Sequence, residues 1–279
     1  MPLERLLSKR GVASRTEAQA LIEAGRVEVN GRLIRRPLTR VPTTARIRID
    51  GHDTATDVSR RVIALNKPRG TVTTRHDPDG RQTVFDVLGE AGRGLIAVGR
   101  LDRASTGLLL FTTDTALAAA LTDPAQAILR RYVVTVRGRV DPEIGATLER
   151  GLTTPGPRGP EALRAVRVII QKASGRETHL LVDLDEGKNR EIRRLFDAVG
   201  HEVTRLHRVA FGAMELGTLQ PGTWREVTET ELTVTLGRAS EASARPRATT
   251  RRPHRPPARI AGNGSAASNA SARGGSRSR

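Results

Sequence analysis

Along the first fifty residues the apolar positions fall first at helical and then at alternating spacing. Ala18, Leu21 and Ile22 share one helical face. The preceding Ser14-Arg15-Thr16-Glu17 is a capping-box sequence, in which the Ser14 hydroxyl accepts from the Glu17 amide while the Glu17 carboxylate reaches back. A helix is predicted to start there and Gly25 to end it. Arg26 to Val29, Asn30-Gly31 and Arg32 to Ile34 read as a hairpin, because Asn-Gly supplies the positive φ angles of a primed turn. Residues 1–50 therefore stand apart as a small domain. Asp50-Gly51 and the polar residues through Ser59 mark 51–60 as a linker.

From Arg61 the chain turns to strands. Val62-Ile63-Ala64-Leu65 runs into Asn66-Lys67-Pro68-Arg69-Gly70, and pairing is expected to stop at Pro68, which has no amide hydrogen for a ladder. Leu108 to Phe111 is an unbroken apolar run bounded by Gly and polar residues, the pattern of a short strand with both faces covered. Arg130 to Val136 alternates, placing Tyr132, Val134 and Val136 on one face. Ile192, Leu195, Phe196 and Val199 follow the i, i+3, i+4, i+7 rule of an amphipathic helix, with Gly200 as its stop. On that helix Arg193 falls at the margin of the apolar stripe, while Arg190 and Arg194 are expected to face outward. After about Leu236, Pro, Ser, Gly, Ala and Arg dominate. Such a segment has too little to bury to offset its ordering entropy, so residues 238–279 are expected to be a disordered basic tail behind a domain spanning 61–237.

Composition narrows the class. No apolar run of the 279 residues approaches the roughly 20 needed to cross a bilayer. The start, Met1-Pro2-Leu3-Glu4-Arg5, has no signal-peptide core. A soluble cytoplasmic protein without membrane association is expected. The absence of cysteine excludes thiolate chemistry, and the six-residue separation of His201 and His207 matches no standard metal spacing. The formal net charge of +17 favours a polyanionic partner, nucleic acid ahead of a membrane surface. Nine Arg and one Glu of that balance lie from Ser240 onward, so the body of the chain is basic in its own right. Aromatic residues make up only 2%, which argues against RNA binding on an open aromatic platform.

Three stretches carry candidate chemistry. Gly99-Arg100-Leu101-Asp102-Arg103-Ala104-Ser105-Thr106-Gly107 puts one carboxylate between two arginines just before the buried strand. By setting alone Asp102 reads as a turn residue salt-bridged to Arg100 or Arg103. By spacing alone Tyr132 reads as a core residue, and Lys188 to Arg194 as a solvated basic helix. Arg5, Lys9, Arg10, Arg15 and Arg26 surround the N-terminal unit, either as a solvated face or as phosphate contacts.

In combination these stretches resemble the RsuA/RluB family of rRNA pseudouridine synthases. The family's Gly-Arg-Leu-Asp, two variable positions, Ser or Thr, one variable position and Gly-Leu-Leu is met from Gly99 to Leu109, although Thr115 stands downstream where Gly is usual. Asn189-Arg190-Glu191-Ile192-Arg193-Arg194 is similar to the family's Asn-Arg-x-Ile-Arg-Arg, and Arg130-Arg131-Tyr132 to its Lys-x-Tyr, with Arg130 in place of Lys. Gly11 to Arg15 and Gly25 to Gly31 look like an S4 RNA-binding domain. Arg81 to Asp86 looks most like the large-subunit RluB branch.

The resemblance implies an α+β fold: a small N-terminal S4 domain, αL-like, then a catalytic domain on a mixed, largely antiparallel sheet. It implies that a specific uridine of large-subunit (23S) rRNA is isomerised, with Asp102 as nucleophile, Arg193 as its counter-charge and Tyr132 stacking on the base. Arg81, Arg100, Arg103, Lys188, Arg190 and Arg194 join the N-terminal cations as RNA contacts. Isomerisation breaks the N1 to C1′ bond and rejoins the base through C5 with no net redox change, so neither cofactor nor metal is expected. The expected partner is ribosomal RNA or a ribosomal precursor particle, met by a monomer. Small-subunit rRNA, as in the RsuA branch, and a non-catalytic S4-type RNA-binding or ribosome-assembly role are the alternatives.

Overall fold

The computed structural model of the chain describes residues 1–10, 12–54 and 60–243. Helices α1 (Leu3–Lys9) and α2 (Arg15–Glu23) open the chain. A small antiparallel sheet follows, made of β1 (Val27–Val29), β2 (Arg32–Ile34), β3 (Ile47–Ile49) and β4 (His52–Asp53) in the order β2-β1-β3-β4. α2 begins at its capping box: Glu17 N donates to Ser14 Oγ at 3.2 Å, and Ser14 N donates to the Glu17 carboxylate at 2.7 Å. Asn30 and Gly31 take φ +50° and +79°, the primed turn that lets Val29 pair with Arg32. Leu3, Leu7, Ile22, Val27 and Ile47 close a separate core under this sheet. The sheet runs on through Asp53, so the first residues of the expected linker belong to it, and 55–59 lie outside the described residues.

The larger unit contains β5 (Val62–Lys67), α3 (Val84–Leu88), β6 (Ile96–Val98), β7 (Thr106–Thr112), α4 (Thr115–Thr122), β8 (Arg130–Arg137), α5 (Pro142–Arg150), β9 (Leu152–Gly156) and β10 (Gly159–Leu163). It continues with β11 (Arg167–Ala173), β12 (Glu177–Leu184), α6 (Glu191–Asp197), β13 (Val203–Phe211), β14 (Met214–Glu215), β15 (Trp224–Glu226) and α7 (Glu229–Ser243). The main sheet runs β11-β12-β8-β13-β7-β5-β15, with β6 on β7 and β14 on β13, while β9 and β10 form a separate hairpin. Among the described strands of this sheet only β7 and β13 pair in parallel, so the sheet is mixed and largely antiparallel, as expected.

β7 explains its own continuous apolar run. Leu109 and Phe111 join one core with Leu65, Val134 and Ile192, and Leu108 and Leu110 join the opposite core with Ala64, Leu121 and Met214. At the parallel join Gly107 has φ +100°, and a Cβ there would lie 2.2 Å from the Arg208 carbonyl oxygen. The close approach of β13 requires a residue without a side chain. α7 extends to Ser243, past residue 238 at which the tail was expected to begin, because Leu232 and Thr235 are buried against the body and anchor the helix. The rest of that expected tail, from 244, lies outside the described residues.

Candidate active site

Asp102 sits half-buried on the loop between β6 and β7, at the entrance to the buried strand. Ser105 N donates to Asp102 O at 2.9 Å and closes a turn around it. The segment after β5 holds this loop from three sides. Lys67 Nζ donates to Ser105 O at 2.9 Å and to Pro68 O at 3.2 Å. Gly70 N donates to Arg103 O at 2.9 Å, and Thr73 Oγ1 donates to Leu101 O at 2.8 Å. Nothing in the periodicity marks Lys67, whose side chain is fully buried at the end of an apolar strand. Burial pulls its ammonium down to about 8, with the charge of Asp102 working in the opposite direction.

Asp102 makes no ion pair within 4.0 Å among the described residues. The turn pairing with Arg100 or Arg103 suggested by its setting is therefore not formed. Arg193, on α6, donates Nη1 to Val203 O at 2.7 Å and keeps Nε buried without a partner among the described residues. Burial and then the neighbouring Arg190 lower its pKa, while the Asp102 charge raises it. Asp102 and Arg193 thus sense each other across a gap without contact.

Tyr132 shares its face with Val134 and Val136, as the alternation predicts, and lies directly opposite Arg208 of β13. A cleft of about 410 Å³ opens there, lined by Asp102, Arg130, Tyr132, Glu191, Ile192 and Arg208 among others. Arg130, whose role the sequence left open, is buried and donates to Ile128 O at 2.9 Å. Glu191, the first residue of α6, is buried too, and desolvation followed by the charge of Glu186 raises its carboxyl to about 8. Periodicity also passed over Arg208, because two bulges in β13, between Val203 and Arg205 and between Arg208 and Ala210, break the alternation that would reveal its face.

The expected RNA contacts divide into three groups. Arg5, Lys9, Arg100, Arg103 and Arg190 are exposed and make no ion pair within 4.0 Å among the described residues. Arg15 pairs with Glu4, Arg26 with Asp50, Arg81 with Asp77 and Asp79, and Lys188 with Glu186. Arg81 holds Asp77 down to about 2 and so ties its own loop together. Two positions are corrected. Arg10 is buried and donates to Thr43 O and Ala45 O at 2.8 and 2.7 Å, which makes it a strut of the small domain. Arg194 does not face outward: its side chain is 15% exposed and it bonds Glu161 at 2.7 Å and Thr154 at 2.9 Å, because the β9–β10 hairpin covers that side of α6.

The sequence and fold are similar to those of known proteins. Residues 61–198 match the family described as RNA pseudouridylate synthase, and residues 1–47 match the S4 domain. The chain is 41% identical over 232 residues to ribosomal large subunit pseudouridine synthase B of Yersinia pestis, covering 81% of this chain and 72% of that one. It is 42% identical over 234 residues to the protein of the same name in Escherichia coli (strain K12), covering 81% and 78%. A solved pseudouridylate synthase shares the fold with a TM-score of 0.60 at 24% identity, covering 84% of this chain and 99% of that one. The chain belongs to the RNA pseudouridylate synthase family, with an S4 domain at its N-terminus. It is an enzyme, an isomerase that forms pseudouridine.

Proposed function

We propose that the protein converts one uridine of large-subunit ribosomal RNA to pseudouridine, with Asp102 as the catalytic carboxylate. The observation that carries this reading is the placing of Asp102, which is held by its loop in the cleft that Tyr132 also lines and has no ion-pair partner among the described residues. A carboxylate left free in this way is available to attack the nucleoside or take a proton from it. Lys67 and Arg193 each feel the charge of Asp102, so two cations act on the carboxylate at this end of the cleft. The ring of Tyr132 offers a stacking surface for a base taken out of its helix, which offsets part of the few kcal/mol that unstacking costs. The names of the relatives support ribosomal RNA, and its large subunit, as substrate. The N-terminal unit docks on that RNA, Arg5, Lys9, Arg100, Arg103 and Arg190 contact phosphates, and the chain works as a cytoplasmic monomer.

The test is pseudouridine mapping on ribosomal RNA from cells lacking the protein, before and after incubation with the purified chain. One new position in large-subunit RNA is expected with the wild type and none with Asp102→Asn, whose RNA affinity should stay within several-fold. A new position in small-subunit RNA would overturn the substrate assignment. Full activity of Asp102→Asn would overturn the role of Asp102.

A further inference from the structure

The cleft contains two guanidinium groups that the reaction above leaves unused. Arg208 is 3% exposed and Arg130 6%. Arg208 donates Nε to Leu108 O at 2.6 Å, and Arg130 donates Nη1 to Ile128 O at 2.9 Å. Their charges lie 5.5 and 5.0 Å from the centroid of the Phe211 ring. Among the described residues neither has a carboxylate within 4.0 Å, and Arg208 Nη2 is buried with no hydrogen-bond partner. Both line the cleft with Asp102 and Tyr132. Arg208 is the direct cross-strand neighbour of Tyr132, so the two side chains leave the sheet on the same face about 5 Å apart.

Two like charges in a low-dielectric setting without a counter-ion are strongly unfavourable. Glu191, in the same wall, does not offset them, since burial and Glu186 keep it largely protonated at neutral pH. The missing anion is one that the substrate can bring. A uracil base offers only neutral carbonyls, whereas the nucleotide that carries it also carries phosphodiesters, whose paired oxygens fit the planar fork of a guanidinium. Exposed arginines such as Arg100 and Arg190 attract any phosphate, but a buried pair can hold only the one that enters the cleft.

We propose that Arg208 and Arg130 form a phosphate-binding subsite that grips the RNA backbone next to the target nucleotide while Tyr132 holds its base. This rests on the cleft being the site of pseudouridine formation. The subsite fixes how far the target strand enters the cleft, and it makes one linkage beside the uridine matter more than its neighbours.

The test uses the full chain and a short ribosomal RNA fragment containing the uridine it modifies, synthesised with an uncharged methylphosphonate at one linkage at a time. With the wild type, one neutral linkage adjoining the target should lower kcat/KM about 10- to 100-fold, the scale of a charge-assisted contact. In Arg208→Met the same linkage should cost less than about 3-fold, because the contact is already lost. Arg208→Lys keeps the charge without the fork and serves if the Met variant does not fold; it should show a reduced penalty. Equal wild-type rates on every linkage, or an unchanged penalty in the variants, would overturn the subsite. A wild type that is inactive on the all-phosphate fragment would instead strike the proposed reaction. In that event fluorescence anisotropy with the same RNAs decides the subsite, by whether one neutral linkage weakens binding in the wild type and not in the variants.

Discussion

The Lys67 ammonium meets the Ser105 carbonyl oxygen at 2.9 Å, and the side chain that carries it has no exposed surface. Through that contact β5 fixes the turn on which Asp102 rides. Lys67→Met keeps length and packing but leaves the Ser105 and Pro68 carbonyls unpaired, at a cost of about 1–3 kcal/mol. It also removes the desolvation penalty of a buried cation, which acts in the other direction. The melting temperature should therefore move little while single-turnover kcat falls by about tenfold or more, the effect expected when reacting groups lose their alignment. An unchanged kcat would show that the bonds from Gly70 and Thr73 hold the loop unaided.

Arg193 acts on Asp102 through space, while its own guanidinium is tethered to Val203 O. Arg193→Ala removes a cation that feels the Asp102 charge, so kcat should fall by about tenfold or more. RNA affinity, set by other cations, should change only slightly. A kcat equal to that of the wild type would remove Arg193 from the mechanism.

Glu191 makes stability depend on pH. The folded protein holds its proton up to about 8, whereas the ordinary value for the side chain is 4.5. This contribution is fully present below about 4.5, and it is lost as pH rises through about 8, since the unfolded chain has already released the proton. Glu191→Gln cannot ionise and should melt higher than the wild type at pH 8 but close to it near pH 4.5. Parallel melting curves across that range would refute the assignment.

Gly107→Ala sets a methyl group 2.2 Å from the Arg208 carbonyl oxygen, and the contact is backbone that cannot swing aside. The loss should be about 3 kcal/mol or more, measured by urea unfolding, since β7 and β13 must separate to admit it. A loss below about 1 kcal/mol would mean that the parallel join tolerates separation.

Arg10 and its neighbours on α1 should part company. Arg10→Met should lower stability with little effect on RNA, because its partners are the Thr43 and Ala45 carbonyls. Arg5→Ala combined with Lys9→Ala should leave stability alone and reduce the salt dependence of RNA binding, the log–log slope dropping by up to about two. Titrations at several salt concentrations separate the two outcomes.

Much of the fold was legible because it depends on neighbours in the chain. The Ser14 box, the Asn30-Gly31 turn, the face that Tyr132 shares with Val134 and the two-sided burial of Leu108 to Phe111 follow from caps, turn dihedrals and period. The motif residues Asp102, Tyr132 and Arg193 were legible by resemblance, and the loop position of Asp102 by pattern. Tertiary structure alone decided what those residues touch. Arg194 turns inward because Glu161, 33 residues earlier, lies on a hairpin packed over α6. Lys67 is fixed by Ser105, 38 residues on. Arg208 comes to lie opposite Tyr132 only through the register of β13, which its bulges shift. Local propensities act within a turn of helix or a strand pair, but a charge takes its meaning from the partner that register and packing bring to it, and that partner is not written within reach of any sequence period.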